Sequence, residues 1–198
     1  MTQALIIFIK NPLPGKCKTR LAKDIGDDKA LQVYRDLLAI TRKACDPLSC
    51  SRYLYYDSFI DTEDDWSNEL YTKRLQASGD LGNRMIHAFE EVLEEHDSAI
   101  IIGSDCPELN SGILSEAFNL LSAKDFVIGP CLDGGYYMLG MKEMHSFIFE
   151  DISWSTGEVF DQTIKKITEK KLSFSETEKL NDIDTLEDLK KFPQINYT

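Results

Sequence analysis

Residues 99–110, Ala99-Ile100-Ile101-Ile102-Gly103-Ser104-Asp105-Cys106-Pro107-Glu108-Leu109-Asn110, decide how this chain is organised. An alanine followed by three isoleucines makes a short, continuous, β-branched apolar run that stops abruptly at Gly103. The pattern predicts a strand buried on both faces, as in a parallel sheet covered by helices. In open α/β sheets, ligands bind in the crevice beyond the carboxyl ends of the strands. Asp105, held beside Pro107, is therefore placed for chemistry or for a metal. Its plainer reading is a turn cap ahead of the next helix.

Two further runs share this character: residues 4–9 (ALIIFI) and residues 125–129, with Phe126-Val127-Ile128 at their centre. Between and after the three runs, apolar residues recur at helical spacing over 27–44, from Leu81 to Leu93, over 111–122 and over 155–167. Residues 51–56 (SRYLYY) form another strand, 61–69 an acidic solvated turn or short helix, and 130–140 a glycine-bearing loop that receives the third run. Strands alternating with amphipathic helices predict an α/β fold, a three-layer αβα sandwich with the runs at 4–9, 99–103 and 125–129 in the central sheet.

With 198 residues, 42% of them hydrophobic, the chain can bury one sizeable core, and a single domain over 1–198 is expected. A net charge of −12 argues against nucleic acid or an anionic membrane surface as partner. The five cysteines (Cys17, Cys45, Cys50, Cys106, Cys131) are scattered, odd in number and form no Cys-x-x-Cys pair, which fits reduced thiols. The run at 4–9 is too short for a signal-peptide core and lacks a basic lead-in, so a cytoplasmic location with no membrane span is expected.

Against this acidic background Lys16, Lys18 and Arg20 gather positive charge after the first strand, where the next helix begins, a combination suited to phosphates. The Gly-x-x-x-x-Gly-Lys-Ser/Thr spacing of a Walker A loop is missing, and a solvated basic loop is the alternative. Gly79 and Gly82 flank Asp80, and allow either close approach to a flat ligand or a tight turn. Asp133 is the second carboxylate delivered at a strand end. It is followed by Gly134-Gly135, which removes side chains beside it, and its plainer role is to fix that bend. In the tail, Asp182 and Asp184 alternate on a short extended segment, with Ile183 facing the other way. Thr185 and Asp188 then have the spacing of a capping box.

These elements together, Lys16-x-Lys18-Thr19-Arg20-Leu21, Gly79-Asp80-Leu81-Gly82-x-Arg84-Met85, Gly103-Ser104-Asp105-x-Pro107, Gly129-Pro130-x-x-Asp133-Gly134-Gly135-Tyr136-Tyr137 and Asp182-Ile183-Asp184-Thr185-x-Glu187-Asp188-Leu189, resemble the bacterial GT-A type nucleotide-diphospho-sugar transferase-like family, also called radical-SAM/selenodomain-associated transferases. A more distant similarity is to the guanylyltransferases of the coenzyme F420 and molybdenum-cofactor pathways. The resemblance covers nearly the whole chain. It implies a Rossmann-like GT-A sandwich with a mixed, mostly parallel sheet, and a metal held by Asp105 with the tail acids Asp182 and Asp184. Nucleotide-binding positions would be Lys16, Gly79, Asp80, Gly82 and Arg84. Lys18 and Arg20 would offset transition-state charge, with Asp133 at the acceptor.

Carboxylate oxygens select a hard divalent ion, Mg²⁺ or Mn²⁺, and such an ion would let an acidic protein hold a polyphosphate. Two activities fit this set: sugar transfer from a nucleotide-sugar to a small-molecule acceptor, and nucleotidyl transfer from a triphosphate to a phosphorylated small molecule. A non-catalytic nucleotide-binding module is the third reading.

Overall fold

The computed structural model describes residues 2–195. Its strands are β1 (Gln3–Ile9), β2 (Ser51–Tyr56), β3 (Thr72–Leu75), β4 (Ser98–Ile102), β5 (Phe126–Pro130), β6 (Tyr136–Met141) and β7 (Phe174–Glu176). Its α-helices are α1 (Thr19–Ile25), α2 (Asp27–Cys45), α3 (Leu81–Leu93), α4 (Ser111–Ala123), α5 (Val159–Glu169) and α6 (Leu186–Leu189), with a 3₁₀ turn at Ser146–Phe149.

The isoleucine run is β4, the middle strand of a seven-stranded sheet ordered β3-β2-β1-β4-β6-β5-β7. β1 pairs in parallel with β2 and β4, β2 with β3 and β5 with β7, while β6 is antiparallel to both β4 and β5. This mixed, mostly parallel sheet with helices on both faces is the expected α/β sandwich.

The continuous apolar runs follow from two-sided burial. Leu5, Ile7, Ile100, Ile102 and Val127 point to one face, against Tyr34 and Leu38 of α2 and Leu114, Ala117 and Leu121 of α4. Ala4, Ile6, Ala99, Ile101, Phe126 and Ile128 point to the other, against Met85, Phe89 and Val92 of α3 and Ile167 of α5. Each fully buried isoleucine contributes about 1.5–3 kcal/mol of transfer free energy, so neither face can be left uncovered.

Two local expectations are corrected, and two edge strands appear that the apolar pattern does not show. Residues 136–141, read as loop, form β6. Its apolar side chains fill the sheet between β4 and β5, where Gly140 lets Val127 and Ile100 approach: a β-carbon there would lie 2.7 Å from Val127 Cγ1. The edge strands β3 and β7 carry no apolar run because they are partly exposed, which hides them from a hydrophobicity pattern. The acidic stretch at 61–69 makes turns and bends, the first of its two expected forms. Finally, α5 begins at Val159, four residues past the expected start, because Ser155 has φ of 64°, which breaks a helix there.

Candidate active site

At the carboxyl ends of the central strands lies a cavity of about 500 Å³. It draws walls from both faces of the sheet, with Cys17, Lys18 and Tyr34 from the α1–α2 side and Arg84, Met85 and Tyr136 from the α3 side. Gly103, Ser104 and Asp105 line its floor, delivered by β4 as the sequence predicted.

Lys18 is the cavity's organising cation. It sits ahead of α1 with φ 49° and ψ 43°, a left-handed conformation that costs a residue bearing a β-carbon about 1 kcal/mol or more. Its side chain is only 6% exposed, and its ammonium donates to Asp105 Oδ1 and to the Ile183 carbonyl. Backbone strain of this kind persists where the surroundings over-determine it. Here one ammonium joins the loop after β1, the loop after β4 and the tail. The Asp105 side chain is 51% exposed, so its carboxylate remains open to the cavity while Lys18 holds it.

Tyr34 of α2 fixes the neighbouring backbone. Its hydroxyl accepts from Lys10 N–H at 2.8 Å and lies 3.3 Å from Ser104 Oγ. Burial first, and then the charge of Asp105, push this phenol well above its usual range, so it stays neutral. Arg20 pairs with Asp184 at 2.8 Å, with 66% and 40% of the two side chains exposed.

The tail is stitched between two loops by its backbone. Leu180 N–H donates to Pro130 O at 3.1 Å and Leu132 N–H to Leu180 O at 3.0 Å, extending the sheet past β5. Ile183 N–H then donates to Asp105 O at 3.0 Å, with Ile183 fully buried among Leu21, Leu37 and Leu189. Asp182 is thereby suspended against the loop after β5, where ligand atoms of Cys131, Asp133 and Asp182 all lie within 4.8 Å of one another. Burial, then the charges of Asp133 and Asp105, raise the Asp182 carboxyl to about 6, with Lys18 opposing in part. Cys106 stands beside Cys131. That contact, burial and the charges of Asp105 and Asp182 push its thiol well above the usual range and keep it protonated.

The expected metal acids are therefore divided between two places. Asp184 pairs with Arg20 and lines the cavity with Asp105, whereas Asp182 lies within 4.8 Å of Asp133 and Cys131, so alternation does not bring the two tail acids to one place. Two carboxylates within 4.8 Å, one of them partly buried, fit a hard divalent cation. Asp133 also accepts from Gly135 N–H at 2.8 Å, which is the turn role. Gly134, with φ 89°, is required there: a β-carbon would lie 2.1 Å from Gly157 O.

Of the expected nucleotide positions, only Arg84 lines the cavity. Lys16 is exposed. Asp80 caps α3 by accepting from Asn83 N–H at 2.8 Å, Gly79 makes the turn before it with φ 110°, and Gly82 lies under the Trp154 indole, where a β-carbon would sit 2.9 Å from Cζ2. Sequence reasoning overlooked Gln76, Tyr34, Tyr136 and Cys131. Tyr136 was legible as the start of an apolar run. Gln76 carried no signal, since its role depends on carbonyls from two distant strands.

Comparison with known proteins supplies the context. A candidate nucleotide-diphospho-sugar transferase from Desulfovibrio desulfuricans G20 is 29% identical and superimposes with a TM-score of 0.87, over 96% of this chain and 85% of that one. The inositol-1-phosphate CTP transferase from T. maritima (12% identity, TM-score 0.59, 98% and 94% covered) shares the fold. So does a Mycobacterium tuberculosis H37Rv protein solved in complex with manganese (12% identity, TM-score 0.54, 98% and 99% covered). No curated protein matches this sequence. Among the described residues no helix is long and apolar enough to cross a membrane. The family model described as "Uncharacterized protein conserved in bacteria (DUF2064)" matches residues 40–156, more than half of the chain. The chain therefore belongs to this bacterial family, DUF2064, and is built on the fold of the nucleotide-diphospho-sugar transferases.

Proposed function

We propose that the protein is a divalent-cation-dependent glycosyltransferase that takes its sugar from a nucleotide-sugar and passes it to a small-molecule acceptor. The observation that carries this reading is the junction of Lys18, Asp105 and the Ile183 carbonyl with the Asp182–Asp133 pair beside it. A buried cation and a crowded pair of carboxylates stand at the strand ends where an α/β sheet binds its ligand. The similarity to the candidate nucleotide-diphospho-sugar transferase from D. desulfuricans supports the reading.

Asp182 and Asp133, with the open oxygen of Asp105 nearby, would hold Mg²⁺ or Mn²⁺, which when bound neutralises diphosphate charge and stabilises the departing nucleoside diphosphate. Lys18 keeps Asp105 aimed into the cavity and supplies a fixed positive charge in a site partly shielded from water, where it counts for more than in bulk solvent. Arg20 sits at the solvent edge and contributes charge to a bound phosphate, with Asp184 holding it in place meanwhile. Asp133 and Asp182 both lie outside the cavity lining, so Asp133 shares the cation with Asp182 here and does not act on the acceptor. Lys16 would serve the nucleotide, while Gly79, Asp80 and Gly82 shape the turn into α3 that carries Arg84.

Nucleotidyl transfer uses the same groups and differs in its product. Incubating the protein with Mn²⁺ and panels of nucleotide-sugars and nucleoside triphosphates tests both. A nucleotide-sugar should raise Tm only when Mn²⁺ is present and should release nucleoside diphosphate; ligand at a hundredfold excess over Kd adds about 2.7 kcal/mol to apparent stability. Release of pyrophosphate from a triphosphate would instead assign nucleotidyl transfer. No shift with any nucleotide would contradict both.

A further inference from the structure

Arg84 stands out among the arginines of this acidic chain. Arg20, Arg42 and Arg74 each face a carboxylate, Arg52 satisfies carbonyls at the end of α2, and Arg35 is exposed on α2 outside this cavity. Arg84 lines the cavity, partly buried, yet it contacts only neutral acceptors: Nε donates to Asp80 O at 3.4 Å and a terminal nitrogen to Gln76 Oε1 at 3.2 Å. A guanidinium carries five N–H donors, so three remain. Gln76 is locked in turn. Its amide nitrogen donates to Ile9 O at 3.0 Å and to Tyr55 O at 3.1 Å, carbonyls at the ends of β1 and β2, so the amide cannot flip and its oxygen must face Arg84. The pair is a preorganised fork aimed into a cavity in a protein of net charge −12, with no internal anion to meet it.

Its location separates it from the phosphate-binding groups proposed above. Lys18 belongs to the α1–α2 side of the sheet, whereas Arg84 rises from α3 next to Met85, on the opposite side. Tyr136 also lines the cavity, and its hydroxyl, whose protein partner is the Met85 sulfur 3.9 Å away, is a further donor for a guest there.

We infer that Arg84, positioned by Gln76, is an oxyanion receptor for the acceptor: the acceptor carries a phosphate monoester or a carboxylate. This rests on the proposed reading only in assigning the anion to the acceptor and the Lys18 side to the nucleotide.

The test follows the Arg84 Nε–H resonance by ¹⁵N NMR in the full chain, identified by its loss in Arg84→Lys. Titration with inorganic phosphate or malonate should shift this resonance saturably. Arg84→Gln should weaken binding of the same probe at least tenfold while Tm stays within a few degrees. Absence of a shift with both probes would overturn the receptor. The titration is then repeated with saturating UDP and Mg²⁺. A persisting anion response supports the acceptor assignment, and UDP moving Arg84 itself and blocking the anion would overturn it. If neither UDP nor any other nucleoside diphosphate binds while phosphate still shifts Arg84, the receptor stands and the nucleotide-transfer reading fails.

Discussion

Asp105, Asp133, Asp182 and Asp184, four of the carboxylates at the strand ends, divide into two pairs with opposite electrostatics. Asp105 has the buried ammonium of Lys18, and Asp184 has Arg20. Asp133 and Asp182 have each other and the Cys131 sulfur within 4.8 Å, with no cationic side chain bonded to either. Both pairs come from the same pieces of chain, a strand-end loop and the tail. The difference teaches that charge already satisfied inside the protein marks architecture, and charge left crowded marks a place for something from outside.

The largest effect comes from breaking the frame of the unsatisfied pair. Gly134→Ala places a β-carbon at 2.1 Å from Gly157 O and at a φ of 89°, so unfolding in urea should show a loss of about 3–5 kcal/mol. A cost under 1 kcal/mol would mean that the loop after β5 moves freely and does not fix Asp133. Next, Lys18→Met removes the cation from the satisfied pair and leaves Asp105 and the Ile183 carbonyl without it. A loss of about 1–3 kcal/mol is expected, reduced from the fully buried case because half of the Asp105 side chain is exposed.

Asp182→Asn has the opposite sign in the metal-free protein. The folded carboxyl titrates near 6, above its ordinary value of 3.8, so the native state binds more protons between those values, and this contribution to stability falls as pH rises through 6. At pH 7.5 the variant should therefore be more stable than the wild type by about 1 kcal/mol, after allowing for partial exposure. The gap should close as pH drops below 5. A gap that does not change with pH would mean that Asp182 carries no electrostatic penalty. The smallest effect belongs to Arg20→Ala: the exposed pair with Asp184 is worth about 0–1 kcal/mol to folding, while nucleotide affinity should fall about tenfold. Unchanged affinity would return Arg20 to a solvated role.

How much of this was legible in sequence follows from what each element depends on. β1, β4 and β5 could be read because burial on two faces imposes an uninterrupted apolar run, and α2 and α3 because one-sided burial imposes a helical period. β3 and β7 lie at or near the sheet edges, half exposed, and leave no such record. Asp105 at a strand end, the buried Ile183 and the Thr185–Asp188 capping box were readable as local consequences of alternation and turn chemistry. The partners were not. Lys18 reaches Asp105 across 87 residues and Ile183 across 165, and Gln76 reaches Ile9 across 67, distances over which spacing carries no information.

The central claim is that the Asp182–Asp133 pair calls for a cation, and isothermal titration of Mn²⁺ into the wild type, Asp182→Asn and Asp105→Asn at pH 5.5 and 7.5 tests it most directly. The wild type should bind one Mn²⁺ more tightly at pH 7.5 than at 5.5, releasing part of a proton at the lower pH as Asp182 ionises. Asp182→Asn should weaken binding at least tenfold and abolish the pH dependence, and Asp105→Asn should weaken it less. Equal Mn²⁺ affinity in the wild type and Asp182→Asn would contradict the account.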